Sequence, residues 1–94
     1  MPKFVIERSL PGAGKLTAAE LQAISRKSVE VLDAMAGRAQ WLHSYVTDDK
    51  LYCVYIADDA ETVAEHAAAG GFPCDSARPV AAVIDPTTAE RSAA

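Results

Sequence analysis

Two histidines and two cysteines in 94 residues are few enough to be weighed one by one. Three chemically able groups stand out: the carboxylate of Glu7, the imidazole of His43 and the thiol of Cys53. Each can ligate a divalent cation or carry a proton, so the three make a metal or acid–base site if folding brings them together. His66 is a further metal candidate, since Glu65 stands beside it and Glu61 lies about one helical turn earlier. Its alternative reading is a helix residue packed against Val63, Ala67 and Phe72. Trp41, Tyr45, Tyr55 and Phe72 are the large rings available to bind a small molecule, with Tyr45, Tyr55, His43 and Glu7 as acid–base groups beside it. Cys74 follows Pro73 in a loop and reads as an exposed thiol. Cys53 and Cys74 show neither CxxC nor zinc-ribbon spacing, so no bridge between them is expected.

The stretch SLPGAGKLT, from Ser9 to Thr17, resembles a phosphate-binding loop at first sight. Such a loop needs glycine, four spacers, then Gly-Lys followed by Ser or Thr, because backbone amides cradle the phosphates while the hydroxyl holds magnesium. Gly14 and Lys15 are in place, but Ser9 stands where the first glycine belongs and Leu16 where the hydroxyl belongs. The stretch therefore reads as a turn, with Pro11 to Leu16 as a flexible lip.

These groups must be positioned by regular elements. Residues Lys3 to Arg8, KFVIER, alternate as a two-faced strand does. Thr17 and Glu20 form a capping box, and Leu21, Ile24, Ser28, Val31, Leu32 and Met35 recur at helical spacing until Gly37. Gln40 to Thr47 and Leu51 to Ala57 are aromatic and β-branched strands joined by the turn Asp48-Asp49-Lys50. Asp58 caps a second helix, with Glu61 three residues on; the helix runs to Ala69 before Gly70 and Gly71. Arg78 to Ile84 is the last strand. The order β-α-β-β-α-β is that of an α+β ferredoxin-like sandwich, a four-stranded antiparallel sheet with both helices on one face. Residues 1–85 form the single domain, and 86–94 form a mobile tail.

Period-two alternation assigns side chains to the two sheet faces. Phe4 and Ile6, Leu42, Ser44 and Val46, and Tyr52, Val54 and Ile56 are expected beneath the helices. Glu7, Trp41, His43, Tyr45, Cys53 and Tyr55 then collect on the helix-free face. This grouping requires a three-residue hairpin loop with Thr47 opposite Leu51, since a slip of one residue exchanges the faces. So many rings on one open face predict a homodimer that covers them.

Half the residues are apolar, and no apolar run approaches the roughly 20 residues of a membrane span. Glu7 and Arg8 break the first apolar run before a signal sequence can form, so a soluble cytoplasmic protein is expected. Thirteen acids against nine scattered bases, a net charge of −4, argue against a nucleic-acid partner.

Several segments together carry a family likeness: MPKFVIER with LTAAELQAIS, then QWLHSYVTDDKLYCVYIADD, HAAAGGFP and VIDPTTAE. From Met1 to about Glu90 the chain resembles a family of small bacterial ferredoxin-like proteins that includes a nickel-binding, nickel-responsive homodimer. The resemblance implies the fold, a dimer and nickel; it designates no ligand here, so Glu7, His43, Cys53 and His66 remain candidates on their chemistry. The expectation is a metal-binding protein with no assigned catalytic residue. The alternative is a binding protein or cofactor-independent enzyme that takes a small apolar ligand between sheet and helices.

Overall fold

The computed structural model describes residues 1–92. Its elements run β1 (Lys3–Ser9), α1 (Ala18–Ala34), β2 (Ala39–Val46), β3 (Lys50–Ala57), α2 (Ala60–Gly70) and β4 (Ser76–Pro79), with 3-10 turns at Ala13–Lys15 and Pro86–Glu90. The sheet order is β2-β3-β1-β4, and every pairing is antiparallel. Both helices lie on one face of the sheet, giving the ferredoxin-like α+β arrangement that the element order predicts. Among the described residues no helix is long and apolar enough to cross a membrane.

Local chemistry explains the helix limits. Thr17 starts α1 with a reciprocal box, its hydroxyl accepting the Glu20 N–H at 3.1 Å while Glu20 accepts the Thr17 N–H at 3.0 Å. These bonds hold the Glu20 carboxyl below its ordinary pKa. The cap of α2 is Asp59, one residue later than the sequence pattern suggests, because its carboxylate accepts both the N–H and the hydroxyl of Thr62 at 2.8 Å. Gly71 ends α2 in the left-handed conformation, φ 69°, and the Phe72 N–H turns back onto the Ala67 carbonyl. That reversal carries Phe72 under the helix.

Two features of the β2–β3 hairpin decide which side chains meet. Thr47 pairs with Lys50 across a loop of only Asp48 and Asp49, the Thr47 N–H donating to the Lys50 carbonyl at 2.9 Å, so Val46 rather than Thr47 faces Leu51. A bulge at Leu42 then shifts the register between Trp41 and His43. As a result Leu51, Cys53, Tyr55 and Ala57 are buried beneath the helices with Phe4 and Ile6, while Tyr52, Val54 and Ile56 lie on the helix-free face. The face assignment from alternation is thus correct for β1 and reversed for β3. In β2 it holds for His43, Ser44, Tyr45 and Val46 and fails for Trp41, which packs against the core side, and for Leu42, which is exposed at the bulge.

The last strand is earlier and shorter than Arg78 to Ile84. Ser76–Pro79 pairs with Glu7–Phe4, and Val80 donates a final bond to the Lys3 carbonyl. Beyond that point β1 has run out, so Val83 and Ile84 have no strand to join and are exposed. The tail expected over 86–94 carries the 3-10 turn Pro86–Glu90, capped by Asp85; its residues 93–94 lie outside the described residues.

Candidate functional site

The phosphate-loop lookalike is disposed of by its own hydrogen bonds. The Gly14 N–H donates to the Asp48 carbonyl at 3.0 Å, the Gly12 N–H to an Asp49 carboxylate oxygen at 3.0 Å, and the Leu10 N–H to the Asp49 carbonyl at 2.8 Å. Amides that would cradle an anion are already bound to the hairpin, one of them to a carboxylate. A Cβ on Gly14 would sit 3.0 Å from the Asp48 Cα, so the glycine is there to let loop and hairpin touch. This segment is a pinned corner and not the flexible lip its composition suggests.

A cavity of about 310 Å³ lies between α1 and the sheet. Leu21, Ile24, Ser25 and Ser28 of α1 form its roof, Trp41, Ser44, Val46, Leu51, Cys53 and Tyr55 its floor, and Gly70 to Pro73 one wall. This explains why α1, apolar along one stripe, fully buries only Ser28: its Leu21 and Ile24 overlook a space instead of packing on the sheet. Val46, Gly71 and Pro73 are exposed and mark the mouth.

The cavity has a polar end. Arg8 lines it at 3% exposure; its Nη1 donates to the Pro73 carbonyl at 2.6 Å and its guanidinium lies 5.6 Å from the Phe72 ring centre. No carboxylate among the described residues forms an ion pair with it, and Nη2 is buried with no hydrogen-bond partner. Nearby, the Ser28 hydroxyl stands 3.1 Å from His66 Nε2 and 3.4 Å from the Tyr55 phenol. Burial raises the Tyr55 pKa, opposed by the Ser28 hydrogen bond and the Arg8 charge. Burial and then the Arg8 charge push the His66 imidazole below its ordinary value, so it is neutral at pH 7. His66 is 1% exposed, stacks on Phe72 at 5.4 Å, and leaves Nδ1 without a partner.

The predicted ligands are therefore dispersed. Cys53 is buried beneath the helices, on the opposite face from Glu7 and His43. Glu7 is engaged by Lys50 across the sheet. His43 is exposed on the edge strand, with the Tyr45 ring against it at 5.1 Å. The Glu65 carboxylate beside His66 is taken up by Arg38 through two hydrogen bonds, at 2.6 and 3.2 Å. Among the described residues no three His, Cys, Asp or Glu side chains converge as a metal cluster. Of the four predicted rings, Trp41, Tyr55 and Phe72 line the cavity, whereas Tyr45 lies on the other face, 62% exposed. Two cavity residues escaped the sequence reading, Arg8 and Ser28, although both occupy positions where the pattern calls for an apolar side chain.

Comparison with known proteins places this geometry in context. The chain matches a family model described as nickel responsive protein SCO4226-like over residues 4–80. The crystal structure of SCO4226 from Streptomyces coelicolor A3(2) aligns with a TM-score of 0.74 at 15% identity, covering 87% of this chain and 99% of that one. At that identity the likeness speaks for the fold. No curated protein matches the sequence.

Proposed function

Because the chain belongs to the SCO4226-like family of nickel responsive proteins, we propose that it handles nickel by binding the divalent ion as a cytoplasmic homodimer. Family membership over residues 4–80 is the observation that carries this reading. The structure adds a constraint. Nickel takes four to six ligands of the imidazole, thiolate or carboxylate kind, and the described residues of one chain offer no cluster of three. The described residues of one copy alone do not fit the ion, so the site proposed here takes ligands from two copies.

The helix-free face is where that copy would sit. Val5, Tyr45, Tyr52, Val54 and Ile56 make it apolar and aromatic. A solvated patch of this kind suits a symmetric partner. His43 is the one imidazole on that face and the one histidine with access to solvent, so it is the first ligand we assign; Glu7 follows if Lys50 releases it. Two unpaired cysteines, one buried and one exposed, suit the cytoplasm.

Sedimentation velocity of tag-free protein with NiCl₂, with MgCl₂ and with chelator tests this. Nickel retained by the dimer at micromolar concentration, and lost in His43→Ala, is expected; a monomer that retains no nickel removes the proposal.

A second reading is favoured by the cavity: binding of a small apolar ligand between sheet and helices, walled by Trp41, Tyr55 and Phe72. Its volume falls at the small end of ligand pockets. Thermal stabilisation by apolar organic compounds in the absence of nickel is the expected result.

A further inference from the structure

The chemistry of the cavity's polar end narrows its ligand to a class. A cavity that binds only hydrocarbon has no use for a guanidinium in its wall. Burying a charge is costly unless it is paired and hydrogen-bonded, yet Arg8, 3% exposed, has no carboxylate partner among the described residues and an unpartnered Nη2. Its neighbours at that end, the Ser28 and Tyr55 hydroxyls, can both donate, and burial keeps the phenol protonated. The neutral His66 can donate its Nε2 proton to the Ser28 oxygen, which leaves the one Ser28 proton free for a ligand. Everything else in the wall is apolar or small: Leu21, Ile24, Trp41, Leu51 and Phe72 among them.

We propose that the cavity binds a small apolar carboxylic acid as its anion, with the carboxylate on Arg8, Ser28 and Tyr55 and the hydrocarbon part against Trp41, Ile24 and Phe72. The inference rests on the reading of the cavity as a ligand site and is independent of nickel. Guanidinium and carboxylate match as planar forks, and such a bond made away from water is stronger than one between neutral groups. The anion would supply the charge and the acceptors that Arg8 lacks. Phe72 and the Pro73 carbonyl already hold the guanidinium in place, so little side-chain freedom is lost on binding.

The sole tryptophan, Trp41, lies in the cavity wall and reports occupancy through its own fluorescence. Tag-free protein is titrated at pH 7.5 with octanoate and phenylacetate, and in parallel with octanamide, octanol and phenylacetamide. The expected result is a saturable change in Trp41 emission with the acids at least tenfold tighter than with the matched amides. In Arg8→Met that preference disappears while the alcohol still binds; Arg8→Lys, which keeps the charge without the fork, retains part of it. Equal affinity for acid and amide in the wild-type protein overturns the assignment to Arg8 and leaves the cavity reading standing. No saturable signal with any compound overturns both. The wild-type comparison decides the matter even if Arg8→Met fails to fold.

Discussion

The two faces of the sheet are built from similar residues and have different consequences. Beneath the helices, Phe4, Ile6, Leu51, Cys53, Tyr55 and Ala57 are sealed from solvent, yet the layer is not filled: α1 stands off the sheet and leaves a cavity with Arg8, Ser28 and Tyr55 at one end. On the other face Val5, Tyr45, Tyr52, Val54 and Ile56 present rings and branched chains with no helix over them among the described residues. The same alternating strands thus make one face that encloses polar chemistry and one that displays apolar surface. A buried polar group is the more informative observation of the two.

Truncating an aliphatic side chain on each side of β1 should separate the two faces most widely. Ile6 is fully buried and Val5 is 37% exposed. Ile6→Ala should cost about 2–5 kcal/mol in urea unfolding, and Val5→Ala well under 1 kcal/mol when measured on the monomer. Equal losses would mean that the helix-free face is as well packed as the core.

A smaller effect is expected at the cavity wall. A Cβ added at Gly70 would run into the Phe72 ring, so Gly70→Ala must displace that ring or the turn that carries it. The expected cost is roughly 1–3 kcal/mol by thermal unfolding, with an altered Trp41 emission maximum. An unchanged spectrum would show that Phe72 moves freely and does not shape the cavity.

The buried imidazole makes the helix-covered face sensitive to acid. Burial and the Arg8 charge lower the His66 pKa in the folded chain from 6.5, so the unfolded state takes up the proton first. Stability is therefore complete above about pH 6.5 and falls as the pH drops below it, by at most about 1.4 kcal/mol per pH unit, until the folded pKa is reached. His66→Gln should flatten that fall below pH 6.5, as urea unfolding at stepped pH values would record.

The smallest stability change belongs to Tyr45, 62% exposed. Tyr45→Ser should alter monomer unfolding by no more than about 0.5 kcal/mol while weakening self-association in sedimentation. A change in the reverse order, stability lost and association kept, would place Tyr45 in a core it does not touch.

The elements and their topology could be read from local chemistry because each signal was local: the Thr17–Glu20 box, Gly37 and Gly71 as stops, and the period-two run through Phe4 and Ile6. The faces of β2 and β3 depended on something longer-ranged. LYCVYIA is apolar on both sides, so alternation gives two equivalent sets and cannot choose between them. The choice was made by a two-residue hairpin loop and a bulge at Leu42, which together turned Cys53, Tyr55 and Trp41 under the helices. Tyr55 can be buried there because Ser28, from a helix 27 residues earlier, meets its hydroxyl, a coincidence no window of sequence displays. Arg8 and Ser28 were legible in a different sense. Arg8 shares the parity of Phe4 and Ile6, and Ser28 falls on the apolar stripe of α1; each is a polar residue in an apolar register, which is itself the signal of a site.

The proposed division of labour between the faces is tested most directly by titrating ¹⁵N-labelled, tag-free protein with Ni²⁺ and following the backbone amide signals. Signals of His43, Tyr45 and their cross-strand neighbours Val54 and Tyr52 are expected to shift or broaden first, while those of Ser28, His66 and Gly71 around the cavity stay unaffected. Perturbation centred on His66 and Ser28, or none at any residue, would contradict it.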